Sequence, residues 1–261
     1  MCGIFGFALR TPLSMDRVFR VMEKLEVHKY PDELHAVGGY GAGLALLLEN
    51  GELFVEKVGS VGGAPARKLA QIVRIDKASV LISHVRMPSP EFMETAAYRE
   101  TAQPYVVERE PELTIASIHN GRIENYKNVR KTLGSAHIFE SEKYELIDSE
   151  VIPHLFEETL SVEEDVIKAL YSLFCSLQGS SAIAMLQLSE EESFLHLIHK
   201  GKTRGLTVWT NDNNEVMFCS RKEVLTEELG ASLSRGKFNQ KASIANSEEA
   251  GLAISYPLPS T

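Results

Sequence analysis

The sequence predicts an α+β protein built from layered, largely antiparallel sheets. Three observations carry that class: strand-like apolar runs open the chain, amphipathic helical stretches fill its middle, and strand patterns return in the last third. The 261 residues, 44% of them hydrophobic, suffice for one large core, and no Pro/Gly/Ser-rich linker or internal repeat divides them. One domain is expected over residues 1–235, followed by a polar, irregular and peripheral tail over 236–261.

The opening Cys2-Gly3-Ile4-Phe5-Gly6 is a short apolar run between glycines and reads as a strand. Ser14 can cap a helix reaching Val27, whose Val18, Val21, Met22 and Leu25 fall on one face. Leu44–Glu49 and Glu52–Val58 flank Asn50-Gly51, which predicts a type I′ hairpin because both turn positions accept positive φ. A helix over Ala64–Ile72 precedes a strand over Ser79–Ser83, and a strand over Leu113–Ile118 precedes His119-Asn120-Gly121. Helices follow at Glu124–Leu133, Ser149–Leu160 and Glu163–Leu177, the last with Gly179 placed as a C-cap. Ser181–Leu188, Phe194–His199, Leu206–Thr210 and Val216–Cys219 then read as a meander of antiparallel strands.

Composition narrows the function classes. A net charge of −9 argues against nucleic-acid binding, since phosphate neutralisation needs clustered Lys and Arg, and the densest basic stretch, Lys127–Lys131, fits a solvated helix face. The longest near-continuous apolar stretch, Gly41–Leu48, is far below the ~20 residues of a membrane helix. With no secretory signal pattern at its start, the chain is expected in the cytoplasm. Cys2, Cys175 and Cys219 are widely spaced, which argues against a disulfide framework or a thiolate metal site, and the last two read as buried packing residues. His196 and His199 fall on opposite faces of one strand, so neither a metal nor another cofactor is expected.

Cys2 becomes the first residue if Met1 is removed, and it then carries a thiol and a free α-amine together. A free thiol is mostly protonated near neutral pH, and an adjacent amine can accept its proton directly or through a water. Asn120 can offer a side-chain amide and Gly121 a backbone N–H to an oxyanion, whereas in isolation the same pair reads as a tight turn. Arg86 presents a planar fork suited to a carboxylate, or is an ordinary surface arginine. Asp148 can meet an ammonium, and it or Ser149 can equally cap the next helix.

Four segments in order, Cys2-Gly3-Ile4, Ser83-His84-Val85-Arg86, His119-Asn120-Gly121-Arg122-Ile123-Glu124-Asn125-Tyr126 and Asp148-Ser149-Glu150-Val151-Ile152, closely resemble the class II glutamine amidotransferases, which are N-terminal-nucleophile hydrolases. The resemblance spans about residues 2–225. It implies a four-layer αββα sandwich of two mainly antiparallel sheets, with the nucleophile at the edge of one sheet. It also implies an enzyme that hydrolyses L-glutamine to glutamate and ammonia through a Cys2 thioester. Cys2, Asn120 and Gly121 would be catalytic, and Arg86, Asp148, His119 and Ser89 would bind substrate. The pattern departs from the family after Arg86, where Met87-Pro88-Ser89-Pro90 replaces the usual Trp and Thr-His, and at Ala102-Gln103-Pro104, where His-Pro is common.

The implied partner is a synthase subunit in trans that uses the ammonia, with one of glutamate-synthase type the favoured candidate, and self-association of the chain is compatible with this reading. Two rivals are a glutamine-binding regulatory module with little turnover and an N-terminal cysteine amidase acting on another substrate.

Overall fold

The computed structural model describes residues 2–109, 112–163, 165–202, 205–245 and 250–259. The amino-terminal half runs β1 (Gly3–Ser14), α1 (Met15–Val27), β2 (Gly41–Leu47), β3 (Leu53–Gly59), α2 (Pro65–Ile72), β4 (Lys77–Val85), β5 (Tyr105–Arg109), β6 (Leu113–Ile123) and α3 (Tyr126–Thr132). It continues through α4 (Val151–Val162), α5 (Val166–Ser176), β7 (Gly179–Ser189), β8 (Phe194–Lys200), β9 (Leu206–Thr210), β10 (Val216–Cys219), α6 (Lys222–Arg235), β11 (Asn239–Ile244) and β12 (Leu252–Pro257). Among the described residues, one sheet has the order β11-β9-β10-β1-β4-β2-β3 and the other β12-β8-β7-β6-β5. Every pairing is antiparallel.

Strand alternation sorts the apolar side chains into three sealed layers. Ile4, Ala45, Ile82 and Phe218 of the larger sheet meet Ala116, Ile118, Ala184 and Leu197 of the smaller one. On the reverse of the larger sheet, Phe5, Phe7, Leu44 and Leu81 pack on Val18, Met22 and Leu25 of α1, Leu69 of α2 and Leu225 of α6. Beyond the smaller sheet, Ile115, Ile183 and Met185 pack on Val129 of α3, Ile152 and Phe156 of α4 and Leu173 of α5. Fully burying each such side chain stabilises the fold by about 1.5–3 kcal/mol, which is why adjacent residues of a strand commit to opposite layers. The result is an αββα sandwich.

Several expectations change. Leu48 N donates to Glu52 O and Gly51 N to Leu48 O, with Gly51 at φ +85°, so the hairpin closes through a longer loop in which Asn50 keeps negative φ, in place of a type I′ turn. His119-Asn120-Gly121 continues β6 where a strand end was expected, because β7 pairs with all three residues. Gly179 starts β7 and does not cap α5, whose C-cap is Leu177. The expected meander is two hairpins in different sheets, β7–β8 in one and β9–β10 in the other.

The segment expected to be an irregular tail supplies one of the two edge strands of each sheet, β11 on β9 and β12 on β8. Main-chain pairing holds it there, together with Ala242, Leu252 and Tyr256, which pack against the inter-sheet core. Cys219 is buried as expected, but Cys175 is exposed. On α5 it lies in helical register with the exposed Ile167 and Tyr171, not with the buried Ala169, Leu170 and Leu173. No described helix is long and apolar enough to cross a membrane.

Candidate active site

β1 is a central strand, flanked by β10 and β4, so Cys2 sits at the end of an interior strand and not on an outer one. Gly3 pairs with Val85, which places Cys2 beside Arg86 at the same end of the sheet. The Cys2 Sγ is 3.4 Å from both the N and the O of Met87. A cavity of about 420 Å³ opens there, lined by Cys2, Arg86 and Ser89 from one sheet's end, His119 and Gly121 from β6, and Asp148. Small-molecule sites typically fall within ~300–1,000 Å³. Three larger concavities, of about 820, 900 and 1,030 Å³, are lined by neither cysteine nor histidine.

Arg86 is nearly sealed from solvent, and two threonines aim it. Its Nη1 donates to Thr101 Oγ1 at 2.7 Å and its Nη2 to Thr95 Oγ1 at 3.0 Å, while Thr101 passes its own proton to Thr95 O at 2.6 Å. The guanidinium has five N–H donors, so donors remain for a bidentate carboxylate. Burial lowers its pKa from the usual range, opposed by the acidic groups around it, Asp148 among them. The surface-arginine alternative is thereby excluded. Ser89, also on the cavity wall, donates to Glu91 Oε1 at 3.3 Å.

Asp148 begins a short 3-10 turn, Asp148–Glu150, leading into α4. It makes no helix cap: its Oδ2 accepts the main-chain N–H of Ile123, at the end of β6, at 2.8 Å. Burial raises its pKa to about 6, with the Ile123 N–H and the Ser149 hydroxyl pulling the other way. A buried carboxylate beside a cavity, only partly compensated, is suited to receive a cation.

The His119 ring lines the cavity but is held on both sides, Nδ1 at 2.8 Å from Ser149 Oγ and Nε2 at 3.1 Å from Ser181 Oγ. Gly121 admits no side chain, since a Cβ would stand 2.2 Å from Ser180 O and 2.5 Å from His119 Nε2. Asn120 does not itself line the cavity. It lies in phase with Ile118 on the face of β6 that looks between the sheets, the same interlayer that Ile4 of β1 faces, and its buried Oδ1 has no hydrogen-bond partner. The threonines behind Arg86 and the hydroxyls around His119 carried no local sequence signal, because each acts through a long-range contact. Gln103 was visible only as a departure from a pattern.

Of the other cysteines, Cys219 is sealed in the core, where burial pushes its thiol up to about 12. Away from the cavity, His137, Glu157 and Glu158 hold ligand-type atoms within 4.8 Å of one another. Arg109 already pairs with Glu157 there, which makes the group an ion-pair cluster.

A family model described as "Glutamine amidotransferase domain" matches residues 93–227. The chain is 31% identical over 202 residues to a glutamine–fructose-6-phosphate aminotransferase (isomerizing) of Chlamydia trachomatis, covering 77% of this chain and 29% of that protein. It is 36% identical over 116 residues to the enzyme of the same name from Helicobacter pylori, covering 44% of this chain and 18% of that one. Among solved structures, the allosteric regulatory enzyme of purine biosynthesis aligns at TM-score 0.67 and 16% identity, over 97% of this chain and 48% of that one. Glutamine phosphoribosylpyrophosphate amidotransferase from B. subtilis aligns at 0.64 and 17%, over 97% and 49%. This chain therefore spans half or less of each of these relatives. With the αββα layers, these matches establish that the chain belongs to the class II glutamine amidotransferase domain family and has the N-terminal-nucleophile hydrolase fold.

Proposed function

We propose that the chain hydrolyses L-glutamine to glutamate and ammonia. The observation that carries this reading is the gathering of Cys2, Arg86, Gly121 and Asp148, from four distant stretches of sequence, around one cavity. Arg86 grips the substrate α-carboxylate and Asp148 its α-ammonium, leaving the carboxamide to reach Cys2. Requiring both charges selects an amino acid over a simple amide, because either group left unpaired in a buried site is costly.

Once Met1 is removed, the Cys2 α-amine takes the thiol proton. The sulfur bonds to the carboxamide carbon, and the oxyanion is met by the Asn120 amide and the Gly121 N–H. The amine returns the proton to the leaving nitrogen, the C–N bond breaks and ammonia departs. Water then attacks the thioester, releasing glutamate and restoring the thiol. His119 and Ser89 shape the cavity wall around the substrate.

The finer reading is that the ammonia is consumed by a synthase on a separate polypeptide, of glutamate-synthase type. The relatives named above carry the matching region within longer chains. Copurification of a synthase from native lysate supports the separate-subunit reading, and its absence counts against it.

Intact-mass analysis after incubation with a glutamine-analogue affinity label tests the hydrolase. The expected result is loss of Met1 and a single adduct on Cys2. An adduct on the exposed Cys175, or full turnover with Met1 retained, overturns it.

A further inference from the structure

We propose that Gln103 is a positioning residue, whose side-chain amide stands in for a missing strand and holds the oxyanion-binding part of β6 in place. The proposal rests on the reading that Asn120 and Gly121 meet the oxyanion. β5 pairs with β6 in antiparallel register, Arg109 with Leu113, Val107 with Ile115 and Tyr105 with Ser117. One further step of that register sets residue 103 against His119, but the ladder stops at Tyr105.

The Gln103 side chain makes the two bonds a strand partner would have made. Its Oε1 accepts the His119 N–H at 2.5 Å, and its Nε2 donates to His119 O at 3.2 Å. Two residues facing each other in a hydrogen-bonded antiparallel pair exchange this same pair of bonds. A carboxamide carries a peptide's acceptor and donor at one end, which an imidazole, with its nitrogens on separate sides of a ring, does not. That difference gives a physical reason for glutamine where His-Pro is common.

The amide also ties the oxyanion strand to Asp148. Its Nε2 donates to Ser149 Oγ at 3.1 Å, and Ser149 donates to Asp148 Oδ1 at 3.3 Å. Because the Ser149 proton is spent on Asp148, its oxygen accepts from His119, which places the ring proton on Nδ1 and leaves Nε2 to accept from Ser181. Each of these bonds from Gln103, Ser149, His119 and Ser181 then has one donor and one acceptor.

Gln103 is itself clamped. The buried Lys57 Nζ donates to the carbonyls on either side of it, Ala102 O at 2.9 Å and Pro104 O at 3.0 Å. On β2, a Cβ at Gly43 would lie 2.1 Å from Gln103 O, so only glycine permits this approach.

The test compares Gln103→Met, which loses both bonds, with Gln103→Glu, which keeps the shape but turns an acceptor toward His119 O and Ser149 Oγ. Activity is measured as L-glutamine turnover, ground-state binding as the Kd of L-glutamate, and folding by near-ultraviolet circular dichroism. Misplacing a catalytic group by about 1 Å can cost ~10²-fold. Both folded variants should lose roughly 10- to 100-fold in kcat, with KM and the glutamate Kd within about threefold of wild type. Gln103→Asn, which keeps the chemistry but shortens the reach, should fall between. A kcat within twofold of wild type in both folded variants overturns the proposal, as does a rise in KM and Kd that matches the loss of kcat. Wild-type protein that neither turns over glutamine nor takes the Cys2 label removes the hydrolase reading instead, and this positioning role falls with it.

Discussion

Asp148 and Glu150 sit two residues apart on one short turn, both almost sealed from solvent, yet they face different tasks. Burial raises both pKa values, to about 6 for Asp148 and about 7 for Glu150. Glu150 spends its oxygens on the surrounding chain, accepting from Glu140 N at 2.6 Å, Ser141 N at 3.1 Å and the Ser141 hydroxyl. Asp148 has the Ile123 N–H and one long bond from Ser149, and it lines the cavity that Glu150 does not reach. The saturated carboxylate is scaffold, and the one with capacity left toward a cavity is suited to recognition.

The sharpest contrast comes from a group meant to meet the reacting atoms, set against either carboxylate. Asn120→Ala should lower kcat by roughly 10²- to 10³-fold with little change in KM, the usual cost of losing one oxyanion donor. Steady-state kinetics with L-glutamine check it, and an unchanged kcat would remove Asn120 from the oxyanion site.

Asp148→Asn comes next. Truncating one partner of a buried charge pair costs about 2–5 kcal/mol, so kcat/KM should drop on the order of 10²-fold, mainly through KM. The wild-type profile carries the same message. Asp148 must be ionised to bind an ammonium, so kcat/KM should fall as the pH drops through about 6. If the acid limb survives in Asp148→Asn, the group responsible lies elsewhere.

Glu150 should move stability far more than selectivity. Glu150→Ala leaves the Ser141 and Glu140 donors without their acceptor, which costs roughly 2–4 kcal/mol. Chemical denaturation should show the loss, while KM for glutamine stays within about threefold. A tenfold rise in KM with stability intact would erase the distinction between the two carboxylates.

The smallest effect is a pH dependence of stability. The folded pKa of Glu150 lies above its ordinary value, so between about 4.5 and 7 this group binds more protons in the folded state than in the unfolded one, and its contribution to stability declines as pH rises across that window. The buried Glu26, also raised to about 7, acts in the same direction. Glu150→Gln should flatten part of the decline. The buried His154 and His196, both lowered to about 3, act in the opposite direction, so the readout is the wild-type minus Glu150→Gln difference in melting temperature, and a difference that grows from pH 5 to pH 7 would contradict the sign.

Much of this was legible in the residues alone. The stripe Val18, Val21, Met22 and Leu25 is buried as its spacing demanded, since local periodicity reports which face of a helix meets a core. The four segments that resemble the family do converge, and Cys2, Arg86, Gly121 and Asp148 share one cavity. Periodicity could not say which sheet a strand joins, and β9 and β10 accordingly lie in the other sheet from β7 and β8. Nor did it mark β11 and β12, which join β9 and β8 by main-chain pairing and add Ala242, Leu252 and Tyr256 to the edge of the inter-sheet core.

By itself, the amino-acid sequence determined the chemical kinds present, their order, and the alternation that sorts side chains into three apolar layers. Only the tertiary structure decided that Thr95 and Thr101 aim Arg86, that Asp148 leaves helix capping to bind Ile123 N, and that Gln103 completes a strand ladder at His119. The physical reason is range. Burial preference is written in neighbours two to four residues apart, whereas a hydrogen bond between distant residues exists only once the chain has brought them within about 3 Å.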